Sequence, residues 1–213
     1  CMSCNTPLRF WHNIPILSWL FLRGKCAFCG EKISVQYPLI ELLSGLIFLF
    51  SAMKFGLTFQ ALGIAVTFDF LLALSAIDYR YKMVPDSLNL GALTVAVFSV
   101  TSLESFGYNV TNALLFAGGF SLLRFYISYI IKKEAMGEAD IMIAATMGAL
   151  LGIKLGLAAV FLGAVLALPA LILTRDETEE SKELPFIPFL AMGCWIVLMF
   201  DTYVNNILVG IYG

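Results

Sequence analysis

The sequence predicts an all-α polytopic membrane protein of about seven transmembrane helices, with a small cytoplasmic loop of zinc-ribbon type. Three observations predict it. Of 213 residues, 60% are hydrophobic and only 13% charged. Mean hydropathy is +0.90, more apolar than a water-facing surface tolerates. Apolar windows near the ~20 residues that cross a bilayer recur along the chain, at 38–55, 61–78, 88–103, 111–131, 141–153, 155–173 and 188–210. Helices are the expected form because backbone groups in hydrocarbon must satisfy one another, and the alternation of a lipid-facing barrel is missing. The natural division is a cysteine-bearing segment over 1–37 and a membrane domain over 38–213.

The fifth and sixth windows are the tightest. Only 34 residues separate Asp140 from Arg175, about 17 per crossing, so both helices are short or one long helix bends. Gly148, Gly152 and Gly156 recur at four-residue spacing, which suits either close helix contact or a turn.

Orientation follows from the cations. With the first segment inside, the inner loops hold Arg9, Arg23, Lys25, Lys32, Arg80, Lys82, Lys132, Lys133, Arg175 and Lys182, and the outer turns hold Lys54 and Lys154. Cytoplasmic loops retain Lys and Arg, so this asymmetry places the cysteine segment in the cytoplasm. Arg124 lies inside a span, two turns from the inner loop, and can snorkel there. The charged stretch from Arg175 to Glu183 reads as a solvated inner loop. The net charge of -2 and the scattering of basic residues among loops argue against nucleic-acid binding. The chain opens at Cys1 with neither a signal peptide nor an initiating methionine, so residues upstream are expected.

Cys1-Met-Ser-Cys4 and Cys26-Ala-Phe-Cys29 are two C-x2-C pairs, each able to present two thiolates to one tetrahedral ion. Four soft ligands suggest zinc in a closed, structural shell. The alternative is two disulfides or four unrelated thiols, but disulfides rarely persist in the reducing cytoplasm. With four cysteines present, His12 reads as a surface residue and Cys194 as a small packed side chain.

Carboxylates in or near hydrocarbon are functional candidates. Glu41, Asp69, Asp78, Asp140 and Asp201 qualify, with Asp86 nearby. Only Asp78 and Asp140 share a depth, because the second span ends at Asp78 and the fifth begins at Asp140, both at the inner face. Two carboxyl groups that hold a water between them perform aspartyl peptidase chemistry, one ionised to activate the water and one protonated to polarise the carbonyl. The alternative is that both mark helix ends. Asp140 can cap its helix, whereas Asp78 fits that role poorly at a helix C-terminus. Asp69, about 180° around the helix from Asp78, cannot share its cleft. Asp69 and Asp201 suit interhelical polar contacts, and Glu41 can snorkel or line a cavity.

Several stretches, in this order, carry a resemblance: Cys1-Met-Ser-Cys4, Asn13-Ile-Pro-Ile-Leu-Ser-Trp19, Leu22-Arg-Gly-Lys-Cys26, Ile33-Ser-Val-Gln-Tyr-Pro-Leu-Ile-Glu41, Ile77-Asp78 with Pro85-Asp86, Gly137-Glu-Ala-Asp140 and Ile187-Pro-Phe-Leu-Ala. The chain resembles the bacterial type IV prepilin peptidases, leader peptidase/N-methyltransferases of the GxGD aspartyl type. The resemblance implies catalytic Asp78 and Asp140, zinc ligands Cys1, Cys4, Cys26 and Cys29, and an inner-membrane location. It implies one more helix before the cysteines. It also implies a prepilin or pseudopilin substrate, cleaved at the cytoplasmic face and then N-methylated with S-adenosylmethionine. Glu41 and the cysteine loop are the expected contributors to methyl transfer, for which no G-x-G-x-x-G signal exists. Ala139 replaces the family's second glycine, which matters if that position needs positive φ. The rival reading is an ion- or proton-coupled transporter with a metal-sensing loop, and a third is a non-catalytic factor holding pilins. Neither joins a ribbon-like loop to paired interface aspartates.

Overall fold

A computed structural model describes residues 3–134, 136–173 and 185–212. Cys1 and the charged loop beginning at Arg175 lie outside these described residues. The chain forms two compact units, Cys1–Phe50 and Ser51–Gly213.

In the first unit, a 3-10 turn (Phe10–Asn13) and α1 (Leu17–Phe21) precede a cysteine hairpin and the start of α2 (Gln36–Phe55). An antiparallel bridge joins Lys25 to Lys32. Beneath it, the Ile33 amide donates to Gly24 O at 2.7 Å, and the Trp19 indole N–H donates to Ile33 O at 3.1 Å. Gly24 takes φ +68, and any Cβ there would stand 2.8 Å from the Trp19 ring. A glycine is therefore required where the indole lies flush on the backbone.

The second unit continues through α3 (Phe59–Tyr81), α4 (Asp86–Phe98), α5 (Leu103–Ile131), α6 (Glu138–Leu173), α7 (Ile187–Met199) and α8 (Asp201–Tyr212). Thr58 and Ser102 start α3 and α5 by accepting the Ala61 and Ser105 amides. Lys82, at φ 51, ends α3 and returns its amide to Asp78 O at 2.9 Å. Pro85 precedes α4 and fixes the entry of its chain.

Helices α2, α3, α5 and α6 are long and apolar enough to cross a membrane. The α7–α8 pair, bent by 87°, makes a fifth if counted as one span. The protein is thus a multi-pass membrane protein, but the expected seven crossings are not established. The window at 88–103 yields a helix of only 13 residues, because the chain turns at Ser99 and restarts at the Ser102 cap. The window at 188–210 is bent at Phe200.

The windows at 141–153 and 155–173 run together as α6, broken at Gly152 by φ 70 and ψ -177. A methyl group at Gly148 would stand 2.7 Å from the Phe116 ring, and one at Gly156 would stand 2.5 Å from the same ring. In an unbroken helix those positions would be about 12 Å apart, further than a phenyl ring spans. Two helical arms therefore fold back on Phe116 of α5, with Gly152 at the bend under the Tyr108 hydroxyl.

Small residues let the helices close up. Ala96, Ala113, Ala145 and Ala149 form one buried cluster among α4, α5 and α6. Gly193 of α7 meets α6 so closely that a Cβ would lie 2.6 Å from Ala159 O. Between helices in lipid, where burial of apolar surface gives no net drive, such approach supplies the packing. Large apolar side chains such as Leu114, Leu122 and Phe125 stay exposed, as a lipid-facing surface requires.

Lys54, at the end of α2, donates to Leu198 O at 2.5 Å, Met199 O at 3.0 Å and Asp201 Oδ1 at 2.8 Å. It satisfies carbonyls that the end of α7 leaves free and holds the bend into α8. Asp201 thus makes the polar contact expected of it.

Gly152→Ala is expected to destabilise the protein in detergent by about 1–3 kcal/mol, since φ and ψ there suit glycine alone and the methyl meets Tyr108. Gly118→Ala, with open space around it, is expected to be neutral or slightly stabilising. Thermal melting of the two variants checks both.

Candidate active site

In the first unit, Cys26 and Cys29 flank a tight loop in which the Gly30 amide donates to Cys26 O at 3.1 Å and the Cys26 amide donates to Glu31 O at 2.8 Å. Gly30 takes φ 72. This loop turns the two thiols toward Cys4, and the three sulfurs lie within 4.8 Å of one another. Such a donor set fits a thiophilic metal ion, and Cys1, the fourth expected ligand, is outside the described residues. Hydrogen bonds from the Thr6 side chain and amide bring the Cys4 thiol down to about 7. The Cys29 and Phe28 amides lower Cys26 in the same way. At Cys29 the Glu31 amide favours the thiolate, but partial desolvation and the neighbouring sulfurs outweigh it and leave that thiol raised. Two of the three thiols are therefore shifted toward the thiolate, the form that binds metal. His12 stands outside the cluster and packs edge-on against Phe28 at 5.4 Å.

Glu41, from the first turns of α2, accepts the Ile16 amide at 2.8 Å. Ile16 has φ 61 and ψ -52, a rare conformation for a β-branched residue, and its turn closes by a Leu17 amide to Pro15 O bond of 2.5 Å. The carboxylate holds a strained turn and so joins the stretch over 13–19 to the start of α2.

The second unit brings Asp78 and Asp140 into one neighbourhood. Asp78, in the last turn of α3, is buried, and its Oδ2 accepts the Ile187 amide at 3.2 Å. Ile187 is the first residue of α7, followed by Pro188 in the first turn. The first amides of a helix have no partner within it, and Asp78 satisfies one of them. Although Asp78 ends its own helix, it meets the beginning of another. The signal was present in Ile187-Pro188, since proline early in a helix marks a start whose free amides seek an anion.

Asp140 lies in the first turn of α6 and accepts the Gly137 amide. The helix-capping role is therefore real. Helix α4 packs on both α3 and α6, and α7 does the same, which draws the two aspartates' helices together. Ala139 is helical and is absent from the described non-glycine residues with positive φ, so alanine is tolerated at that position without backbone strain.

Two side chains that the sequence reading did not assign to the site hold the same turn. Arg124 pairs with Glu138 at 3.1 Å and Glu134 at 3.7 Å. Asn89 donates to Ala139 O at 3.0 Å. Asp86 is exposed at the start of α4.

The sequence matches the bacterial peptidase A24 N-terminal domain over residues 1–55 and the type IV leader peptidase family over residues 65–172. It is 35% identical over 204 residues to a prepilin leader peptidase/N-methyltransferase of Xanthomonas campestris, covering 92% of this chain and 69% of that one. A protein of the same name from Neisseria gonorrhoeae is 35% identical over 201 residues, 92% of this chain and 69% of its own. Its Aeromonas hydrophila counterpart is 35% identical over 214 residues, 97% of this chain and 72% of its own. No solved structure matches the chain. With a family match over residues 65–172 and relatives about 35% identical over most of its length, the chain belongs to the type IV leader peptidase family and is an enzyme.

Proposed function

We propose that the protein is a membrane-embedded aspartyl endopeptidase that removes the leader of a type IV prepilin or pseudopilin at the cytoplasmic face of the inner membrane, and then methylates the new N-terminus. The observation that supports this reading is structural: α4 and α7 each pack on both α3, which carries buried Asp78, and α6, which carries Asp140 in its first turn. Two carboxyl groups that meet across one water hold one proton between them more readily than none. The ionised member takes a proton from water as it attacks the scissile carbonyl, and the protonated member donates to the carbonyl oxygen. The Ile187 amide orients Asp78 and the Gly137 amide orients Asp140.

The cytoplasmic assignment rests on the distribution of cations, ten in the inner loops against two in the outer turns. It suits a substrate whose apolar helix lies in the bilayer and whose basic leader stays inside. The domain division at 1–37 and 38–213 follows the same logic, a cytoplasmic metal-bearing segment ahead of the catalytic helices.

Cys4, Cys26 and Cys29, with Cys1, would hold zinc as a structural ion that cross-links the segment and leaves no open position for chemistry. Methyl transfer calls for S-adenosylmethionine as the methyl donor. Glu41, whose carboxylate accepts the Ile16 amide, and the cysteine loop remain the contributors proposed for it. The support for that transfer is the N-methyltransferase named in the relatives.

Asp78→Asn and Asp140→Asn are each expected to cut the cleavage rate of a detergent-solubilised prepilin at least about a hundredfold, with yield and melting unchanged. Cleavage that survives either substitution would remove Asp78 and Asp140 as the catalytic pair. Elemental analysis is expected to find about one zinc per chain, and Cys26→Ser with Cys29→Ser to abolish it. Native protein without zinc would defeat the metal assignment.

A further inference from the structure

We infer that Asn89 is a positioning residue for Asp140, holding the turn that launches the second aspartate. This rests on the catalytic reading of Asp140. Asn89 is fully buried one turn into α4, and its Nδ2 donates to Ala139 O at 3.0 Å. Ala139 is the residue immediately before Asp140, and its carbonyl can only accept. The carboxamide nitrogen must therefore face it, which fixes the amide orientation and turns Oδ1 away. That oxygen is buried and has no hydrogen-bond partner among the described residues. What Asn89 provides is a directed bond to one backbone carbonyl.

The other tie on this turn is weaker. Arg124 reaches Glu138 at 3.1 Å, but the Glu138 side chain is 85% exposed. Exposed ion pairs hold geometry loosely, whereas a buried amide-to-carbonyl bond does not exchange with water. Asn89 also lies on the helix that packs against both α3 and α6. Its bond therefore ties the Asp140 turn to the element that faces the helix carrying Asp78. A carboxyl group displaced by about 1 Å loses roughly a hundredfold in rate without losing substrate affinity.

The test is steady-state cleavage of a prepilin by the full-length protein carrying Asn89→Leu, Asn89→Ala or Asn89→Asp, beside wild type and Asp140→Asn. Leu and Ala remove the donor, while a neutral Asp keeps an O–H toward Ala139. The expected result is a fall in kcat of about tenfold to a hundredfold in the folded donor-free variants, with KM within about twofold of wild type and N89D less impaired. Wild-type kcat in a folded donor-free variant would overturn the inference, as would a rise in KM with kcat unchanged. So would the failure of both N89L and N89A to fold, since Asn89 would then be a stability residue. If D140N itself stays active, the catalytic reading fails. If D140N is inactive while the Asn89 variants behave as wild type, only the positioning role fails.

Discussion

The bond from the Ile187 amide to the Asp78 carboxyl joins the end of α3 to the start of α7 at the depth where chemistry is proposed. In hydrocarbon, a carboxyl group and a helix terminus are each costly to leave unpaired, and here each satisfies the other. The rest of the unit follows from that junction. α7 leaves it to pack along the second arm of α6 through Gly193 and Ala159. The first arm of α6 then lies against α4 and α5 through the alanine cluster. Asp140 heads that first arm and is thereby delivered to the same end of the bundle as Asp78.

Polar contacts recur at the helix ends, and small residues recur between them. Lys54 covers the carbonyls at the far end of α7, as Asp78 covers an amide at its near end. Helix α7 is therefore pinned at both termini by side chains from other helices. Its middle packs closely on α6, where Gly193 faces Gly163. Gly152 makes the same point in a different way. Its backbone conformation is closed to other residues, and it lets one stretch of chain supply two arms around a single phenylalanine.

The sequence made the chemistry-bearing residues more legible than the helix boundaries. Cys4, Cys26 and Cys29 were legible because metal ligation imposes a spacing, and Asp78 and Asp140 because each falls at the end of an apolar window. The boundaries at 88–103 and 188–210 were not readable, because hydropathy windows average over a cap such as Ser102 or a bend such as Phe200. The glycines at 148, 152 and 156 suggested either close contact or a turn, and the structure uses two for contact and one for the turn. Asn89 was silent, since an asparagine in an apolar helix carries no periodicity and its partner is a backbone carbonyl 50 residues away. The role of Lys54 is not legible in the sequence, because its carbonyl partners are 144 and 145 residues distant.

Whether Asp78 and Asp140 act as one unit is tested most directly by the residual cleavage rates of Asp78→Asn, Asp140→Asn and the double variant. Groups that share one catalytic step are strongly non-additive, so the double variant should be no slower than the slower single one. Losses that multiply in the double variant would mean that the two carboxyl groups work independently, and would contradict a shared site.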